Sequence, residues 1–114
     1  MFAAHYKLDN FCLIVDWNNL QIDGKITEVM DPPPHDKKLE AFGFHVISID
    51  AHDFNQIEAA LAEAKTVKGK PTAIVANSVK GKGVSFMEGQ VKWHGSAPND
   101  AQYEQAVAEI KAQM

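Results

Sequence analysis

The sequence has 114 residues, of which 46% are hydrophobic and 23% charged, as is ordinary for one soluble globular domain. Its net charge of −4, from 15 acidic and 11 basic residues, argues against a dedicated nucleic-acid binder, which needs a basic face. No apolar run approaches the roughly 20 residues that cross a bilayer, and the first residues lack the basic segment and apolar core of a signal peptide. We therefore expect a cytoplasmic protein with no membrane or nucleic-acid partner.

The N-terminal part of the chain predicts a helix end, a strand, a loop and a helical turn. Residues 3–8 resemble the last turns of a helix, and residues 11–16 form an apolar run. Because that run is apolar throughout, it predicts a parallel strand covered on both faces. The only cysteine, Cys12, is expected to be a small core residue. Residues 20–24 predict a loop and residues 26–30 a helical turn.

The middle of the chain predicts a helix, a strand and a second helix. Three consecutive prolines within residues 31–34 exclude regular helix or central strand, and residues 36–42 then predict a short helix that ends at Gly43. Residues 44–50 predict the second strand. Asp53 is expected to cap the following helix, with Gln56 completing a capping box. That helix carries one apolar stripe, formed by Ile57, Ala60, Leu61 and Ala64.

The C-terminal part predicts a third strand and a last helix. Residues 72–79 are the strand, a glycine-containing turn follows at residues 80–83, and residues 89–98 are irregular. Asn99 is expected to cap a helix over residues 100–112, with glutamine again at the third position. Strands that alternate with helices predict an α/β fold with a parallel, doubly wound sheet.

Polar side chains follow the first predicted strand at once, in the sequence Asp16-Trp17-Asn18. Ligands of α/β proteins bind at the carboxyl ends of strands, and the amide oxygen of Asn18 suits a Mg²⁺ ion that shares phosphate oxygens. Taken alone, Asn18 is better explained as a turn residue, because asparagine tolerates the left-handed backbone conformation.

Several segments, in this order, closely resemble the transketolase family, in particular the type that is split into N-terminal and C-terminal subunits. They are residues 4–10 (AHYKLDN), 20–24 (LQIDG), 28–30 (EVM), 79–88 (VKGKGVSFME) and 93–95 (WHG). Each motif is weak alone, and together they identify the chain as similar to the thiamine diphosphate-binding domain of transketolases. The Gly-Asp-Gly half of the family's cofactor motif does not occur in the sequence.

The resemblance implies an enzyme that moves a two-carbon ketol unit between sugar phosphates, using thiamine diphosphate and Mg²⁺, or Ca²⁺ or Mn²⁺ in its place. It implies that the Asn18 side chain and the Leu20 carbonyl bind the metal, and that Ile22 packs beside the cofactor. It further implies a homo-oligomer, and a partner in the form of the C-terminal subunit, which supplies the pyrimidine pocket and an activating glutamate.

The resemblance also assigns His94 to the diphosphate and the reacting substrate, as a catalytic and cofactor-binding residue. Lys80 and Lys82 follow a strand at a turn near the cofactor, and their ammonium groups can neutralise a diphosphate. The lysines have a plainer explanation as a solvated surface. The other four histidines are widely spaced, show no zinc-ligand pattern, and are expected to have structural or surface roles.

Residues 1–114 are therefore expected to be the C-terminal portion of a thiamine diphosphate-binding domain, truncated at its N-terminus, with about three strands. Catalysis by the chain alone is expected to be incomplete, since the aspartate of Gly-Asp-Gly is a metal ligand in the family. One alternative is a non-catalytic fragment or assembly domain that keeps the fold. Another is a small α/β protein that binds a nucleotide through residues 80–83, although that segment is not a P-loop.

Overall fold

The computed structural model describes residues 1–114, which form two structural units. The first comprises residues 1–17 and 32–78, and the second comprises residues 18–31 and 79–114. Each unit therefore takes two separate stretches of the chain.

The first unit is built on a parallel three-stranded sheet. Its strands are β1 (Cys12–Trp17), β4 (His45–Asp50) and β5 (Thr72–Asn77), in the order β1-β5-β4. Leu13 pairs with Ala73, which in turn pairs with Val46. The central strand β5 is buried over its first five residues, because it has a neighbour on each side. The predicted parallel sheet is confirmed.

Three helices accompany this sheet: α1 (Phe2–His5), α3 (His35–Ala41) and α4 (Phe54–Thr66). The core lies between α4 and one face of the sheet, where Ile49, Ile74 and Ala76 surround Ala60. Helix α3 ends as expected, since Gly43 follows it with a left-handed φ of 89°.

Strand β1 differs from its prediction because it lies at an edge of the sheet. Its residues alternate between exposed and half-buried instead of being covered on both faces. The prediction that Cys12 belongs to the core is wrong, since its side chain is exposed. The side chain of Ile14 is 61% exposed on the same strand. An apolar run does not reveal its position in a sheet, and no strand pairs with this edge.

The cap of α4 also differs in part. Asp53 accepts hydrogen bonds from the backbone N–H groups of Asn55 and Gln56, as expected. The Gln56 side-chain oxygen, however, accepts from the N–H of Asp50, at 2.9 Å, and not from that of Asp53. The capping box is therefore incomplete, because Gln56 ties the helix to the end of β4 instead.

The second unit contains a hairpin, short helices and one long helix. The hairpin consists of β2 (Leu20–Gln21) and β3 (Gly24–Lys25), in a segment predicted to be a loop. Helix α2 (Ile26–Val29) follows it, and a 3₁₀ turn spans Val91–His94. The long helix is α5 (Asp100–Lys111), where the predicted capping box of Asn99 with Gln102 is complete.

Candidate functional site

A pocket in the second unit collects most of the residues singled out in the sequence. It has a volume of about 40 Å³ and is lined by Asn18, Leu20, Gln21, Lys80, Val91 and His94. A site for a whole organic ligand has roughly 300–1,000 Å³, whereas one water molecule needs roughly 10–15 Å³. The pocket therefore has room for a small polar group, and its two basic side chains, Lys80 and His94, favour an anionic one.

Asn18 is fixed by a local turn. Its side-chain oxygen accepts a hydrogen bond from the N–H of Leu20, at 2.9 Å, and Asn19 between them has a left-handed φ of 61°. The carbonyl of Asn19 accepts from the N–H of Ile26, at 3.1 Å, which ties this turn to the end of the hairpin. An amide oxygen has two lone pairs, so the Asn18 oxygen keeps one for a cation.

Lys80 belongs to a tightly closed loop, residues 80–89, which we call the glycine loop. The N–H of Gly89 donates to the carbonyl of Lys80, at 2.9 Å, and closes the loop. Gly81 has a φ of 73°, and a Cβ atom there would lie 2.6 Å from the carbonyl oxygen of Met87. Only glycine fits this position, so the backbone beside Lys80 is closely constrained.

His94 is the last residue of the 3₁₀ turn, and its neighbour Trp93 anchors that turn. The Trp93 indole N–H donates to the carbonyl of Phe86, at 3.0 Å, and the two rings lie 5.4 Å apart in an edge-to-face arrangement. Trp93 is thus a packing residue of this segment. The contacts also attach the segment that carries His94 to the glycine loop.

The chain enters the second unit from two adjacent strands of the first. Trp17, the last residue of β1, pairs with Asn77, the last residue of β5, and the N–H of Ser78 donates to the Trp17 carbonyl at 3.1 Å. Asn18 follows the first of these strands directly, and Lys80 follows the second after two residues. The segments that contain Asn18 and Lys80 therefore each begin at the carboxyl end of a strand, β1 and β5 respectively.

Four of the six predicted site residues line this pocket, namely Asn18, Leu20, Lys80 and His94. The other two do not line it. Ile22 lies at the hairpin tip with its side chain 66% exposed, and Lys82 pairs with Glu88 at 3.5 Å.

Gln21 and Val91 also line the pocket, although the sequence motifs assign neither of them to a site. The sequence predicts a loop at Gln21, whereas the structure makes it a strand residue of the hairpin. Val91 precedes His94 by three residues, and that spacing brings two side chains to one side of a 3₁₀ turn. The sequence predicts an irregular segment here, and only a 3₁₀ turn gives this spacing its meaning.

The residues of the pocket fit a metal ion only if an anion accompanies it. No group of three or more His, Cys, Asp or Glu side chains in the chain could hold a metal. Asn18 and Leu20 offer neutral oxygens, which suit a hard cation but do not balance its charge. A diphosphate would balance it, and Lys80 and His94 are available to the remaining phosphate oxygens. The donor groups of the pocket therefore match a metal ion accompanied by phosphate oxygens better than a free metal ion.

Together, the parallel sheet and this pocket define an α/β protein with a candidate site for a phosphate-bearing cofactor. The chain belongs to the transketolase family, since residues 1–113 match the family described as "Transketolase, thiamine diphosphate binding domain".

Named relatives and solved structures agree with this membership. The chain is 40% identical over 111 residues to the 6-deoxy-6-sulfo-D-fructose transketolase subunit SqwG of Clostridium sp. (strain MSTE9), covering 97% of this chain and 40% of that protein. It is 40% identical over 109 residues to an apulose-4-phosphate transketolase subunit of Actinobacillus succinogenes, covering 96% and 39% respectively. The crystal structure of the transketolase from Campylobacter jejuni superimposes with a TM-score of 0.89 at 35% identity, over 96% of this chain and 17% of that one.

The chain thus spans about two fifths of the length of the subunits it matches. None of its helices is long and apolar enough to cross a membrane.

Proposed function

We propose that this chain binds the diphosphate end of thiamine diphosphate, together with a divalent metal such as Mg²⁺, as part of a transketolase. The observation that carries the proposal is the meeting of Asn18, Leu20, Lys80 and His94 in one pocket. These residues come from separate segments, and family resemblance had assigned all four to the cofactor.

Each pocket residue has a role that its chemistry supports. The Asn18 amide oxygen and the Leu20 carbonyl bind the metal as neutral ligands, while the Lys80 ammonium group compensates the phosphate charge. His94 donates a hydrogen bond from a ring N–H to a phosphate oxygen or to the substrate. Thiamine diphosphate, when bound, supplies the carbanion chemistry that moves a two-carbon ketol unit between sugar phosphates.

The proposed partner is a C-terminal transketolase subunit. Two of the relatives are named as subunits, which supports an enzyme assembled from separate chains. In such an assembly the partner provides the pyrimidine pocket and the activating glutamate. Sugar phosphates are the proposed substrates, and the chain also associates with itself.

A titration of the 114-residue chain with thiamine diphosphate and Mg²⁺ tests the proposed function. A micromolar dissociation constant corresponds to about −8 kcal/mol, and we expect a much weaker constant here, near millimolar, because no carboxylate lines the pocket. Asn18→Ala and His94→Ala should each weaken binding further, whereas His5→Ala, in the first unit, serves as the matched control.

Two results would contradict the proposal as stated. Binding that is equally strong in the Asn18→Ala and His94→Ala variants would exclude the pocket as the cofactor site. A micromolar dissociation constant for thiamine diphosphate and the chain alone would contradict the expectation that the missing carboxylate leaves the charge of the metal ion poorly compensated. For the same reason we expect no turnover of xylulose 5-phosphate with ribose 5-phosphate by the chain alone.

A further inference from the structure

The glycine loop, residues 80–89, connects the two basic residues of the pocket, Lys80 and His94. Lys80 begins the loop and is held by its closing hydrogen bond from Gly89. His94 depends on the loop through its neighbour Trp93, whose indole donates to the Phe86 carbonyl. A shift of the loop would therefore move Lys80 and His94 together.

Helix α5 holds this loop from outside the pocket. One Glu109 oxygen accepts from the Ser85 backbone N–H, at 2.6 Å, and the other accepts from the Ser85 hydroxyl, at 2.7 Å. Gln105 also donates to this carboxylate at 2.7 Å. One turn further on, the side chain of Gln113 donates to the Gly83 carbonyl at 2.9 Å. Hydrogen bonds to a carboxylate are stronger than those between neutral groups, so Glu109 is the principal link.

The two sets of contacts meet at adjacent residues. Ser85 binds Glu109 and the next residue, Phe86, binds Trp93. Glu109 itself does not line the pocket. Its carboxylate is thus connected to His94 through Ser85, Phe86 and Trp93.

We propose that Glu109 is a positioning residue, which places Lys80 and His94 for phosphate binding by fixing Ser85 and the glycine loop. The proposal rests on the proposed function of the pocket and adds a residue that acts from α5. Residues that hydrogen-bond a metal ligand directly change affinity by roughly 10–100-fold when they are removed, and because Glu109 acts through intervening residues we expect an effect at the lower end of that range.

The test compares Glu109→Gln with Glu104→Gln in the 114-residue chain. Both substitutions remove one negative charge from α5, but the Glu104 side chain is exposed and makes no hydrogen bond or ion pair in the structure. Glutamine at position 109 has one acceptor oxygen, so it cannot accept from both donors of Ser85 in the same geometry. The probe is inorganic pyrophosphate with Mg²⁺, followed by NMR together with the resonances of the Trp93 indole N–H and the His94 ring.

We expect Glu109→Gln to shift the Trp93 and His94 resonances and to raise the pyrophosphate dissociation constant roughly tenfold. The amide resonances of β5 should stay in place, and Glu104→Gln should match the wild-type chain. If Glu109→Gln does not fold, Ser85→Ala removes only the hydroxyl contact, and should produce the same shifts with an increase of about threefold.

Unchanged Trp93 and His94 resonances in a folded Glu109→Gln chain would overturn the positioning role, whatever the affinity. The proposed function is judged separately, by whether Lys80→Ala weakens pyrophosphate binding. Should the wild-type chain bind no pyrophosphate at all, the proposed function fails, and the resonances still decide whether Glu109 positions His94.

Discussion

Asp53 shows how one carboxylate starts a helix and makes the stability of that helix depend on pH. It accepts from the side chain of Gln56, at 3.0 Å, and from the backbone N–H groups of Gln56 and Asn55. These hydrogen bonds, with the Gln56 side chain as the main cause, hold the pKa of Asp53 below its ordinary value. The folded state therefore binds a proton here less readily than the unfolded chain does.

The variant Asp53→Asn isolates this effect, because asparagine also caps helices but does not titrate. Because the pKa of Asp53 is lower in the folded chain, its carboxylate adds its full stabilisation of the fold at pH values above the unfolded-state pKa. This stabilisation is lost as the pH falls through the folded-state pKa. We expect the difference in unfolding free energy between wild type and variant to be constant near neutral pH and to change in the acid range. Urea unfolding at a series of pH values measures it, and a difference that does not vary down to about pH 3 would contradict the assignment.

Among the elements, the glycine loop is the most constrained, since its glycines are needed for two different reasons. Gly81 and Gly89 both have a left-handed φ, of 73° and 65° respectively. A Cβ atom at Gly81 would lie 2.6 Å from a backbone oxygen, whereas a Cβ atom at Gly89 would meet nothing within 4 Å. A side chain at either position would therefore be strained by the left-handed backbone, but only a side chain at Gly81 would also clash with Met87.

This pair predicts unequal effects for the same substitution. Gly89→Ala should destabilise the chain by about 1–2 kcal/mol, the cost of placing a Cβ in left-handed backbone. Gly81→Ala should destabilise it more, because Met87 would also have to move. Thermal unfolding of the two variants compares their losses of stability. Equal losses would contradict the expected clash, because they would show that the backbone at Met87 moves aside without destabilising the chain.

For the molecule as a whole, the open edge of the parallel sheet is the most consequential surface feature. Strand β1 pairs only with β5, so its other side carries backbone groups that no strand pairs. Ile14 is 61% exposed there, beside an apolar cavity of about 170 Å³ that also reaches Leu61 and Ile74. An apolar edge strand with free N–H and C=O groups is a template for association with another chain.

We therefore expect the chain to self-associate through this edge at high concentration. Light scattering should give a mass above the 12.6 kDa of the monomer, and Ile14→Lys should reduce it by placing a charge on the edge. Ile22→Lys is the matched control, since Ile22 is 66% exposed but lies on the hairpin of the other unit. A monomer at all concentrations would contradict the expectation, and an equal effect of both variants would place the contact elsewhere.

The sequence alone determined the features that depend on neighbouring residues. The Asn99 capping box, Gly43 after α3 and the three strands follow from local spacing, and the family motifs named four of the residues that line the pocket. The edge position of β1, the exposure of Cys12 and the bond of Gln56 to Asp50 follow from contacts that form when the chain folds. The tertiary structure also decided that Gln21 and Val91 join the pocket, while Ile22 and Lys82 stay outside its lining. The physical reason is that periodicity and caps are set within a few residues, whereas strand order, exposure and pocket lining depend on segments distant along the chain.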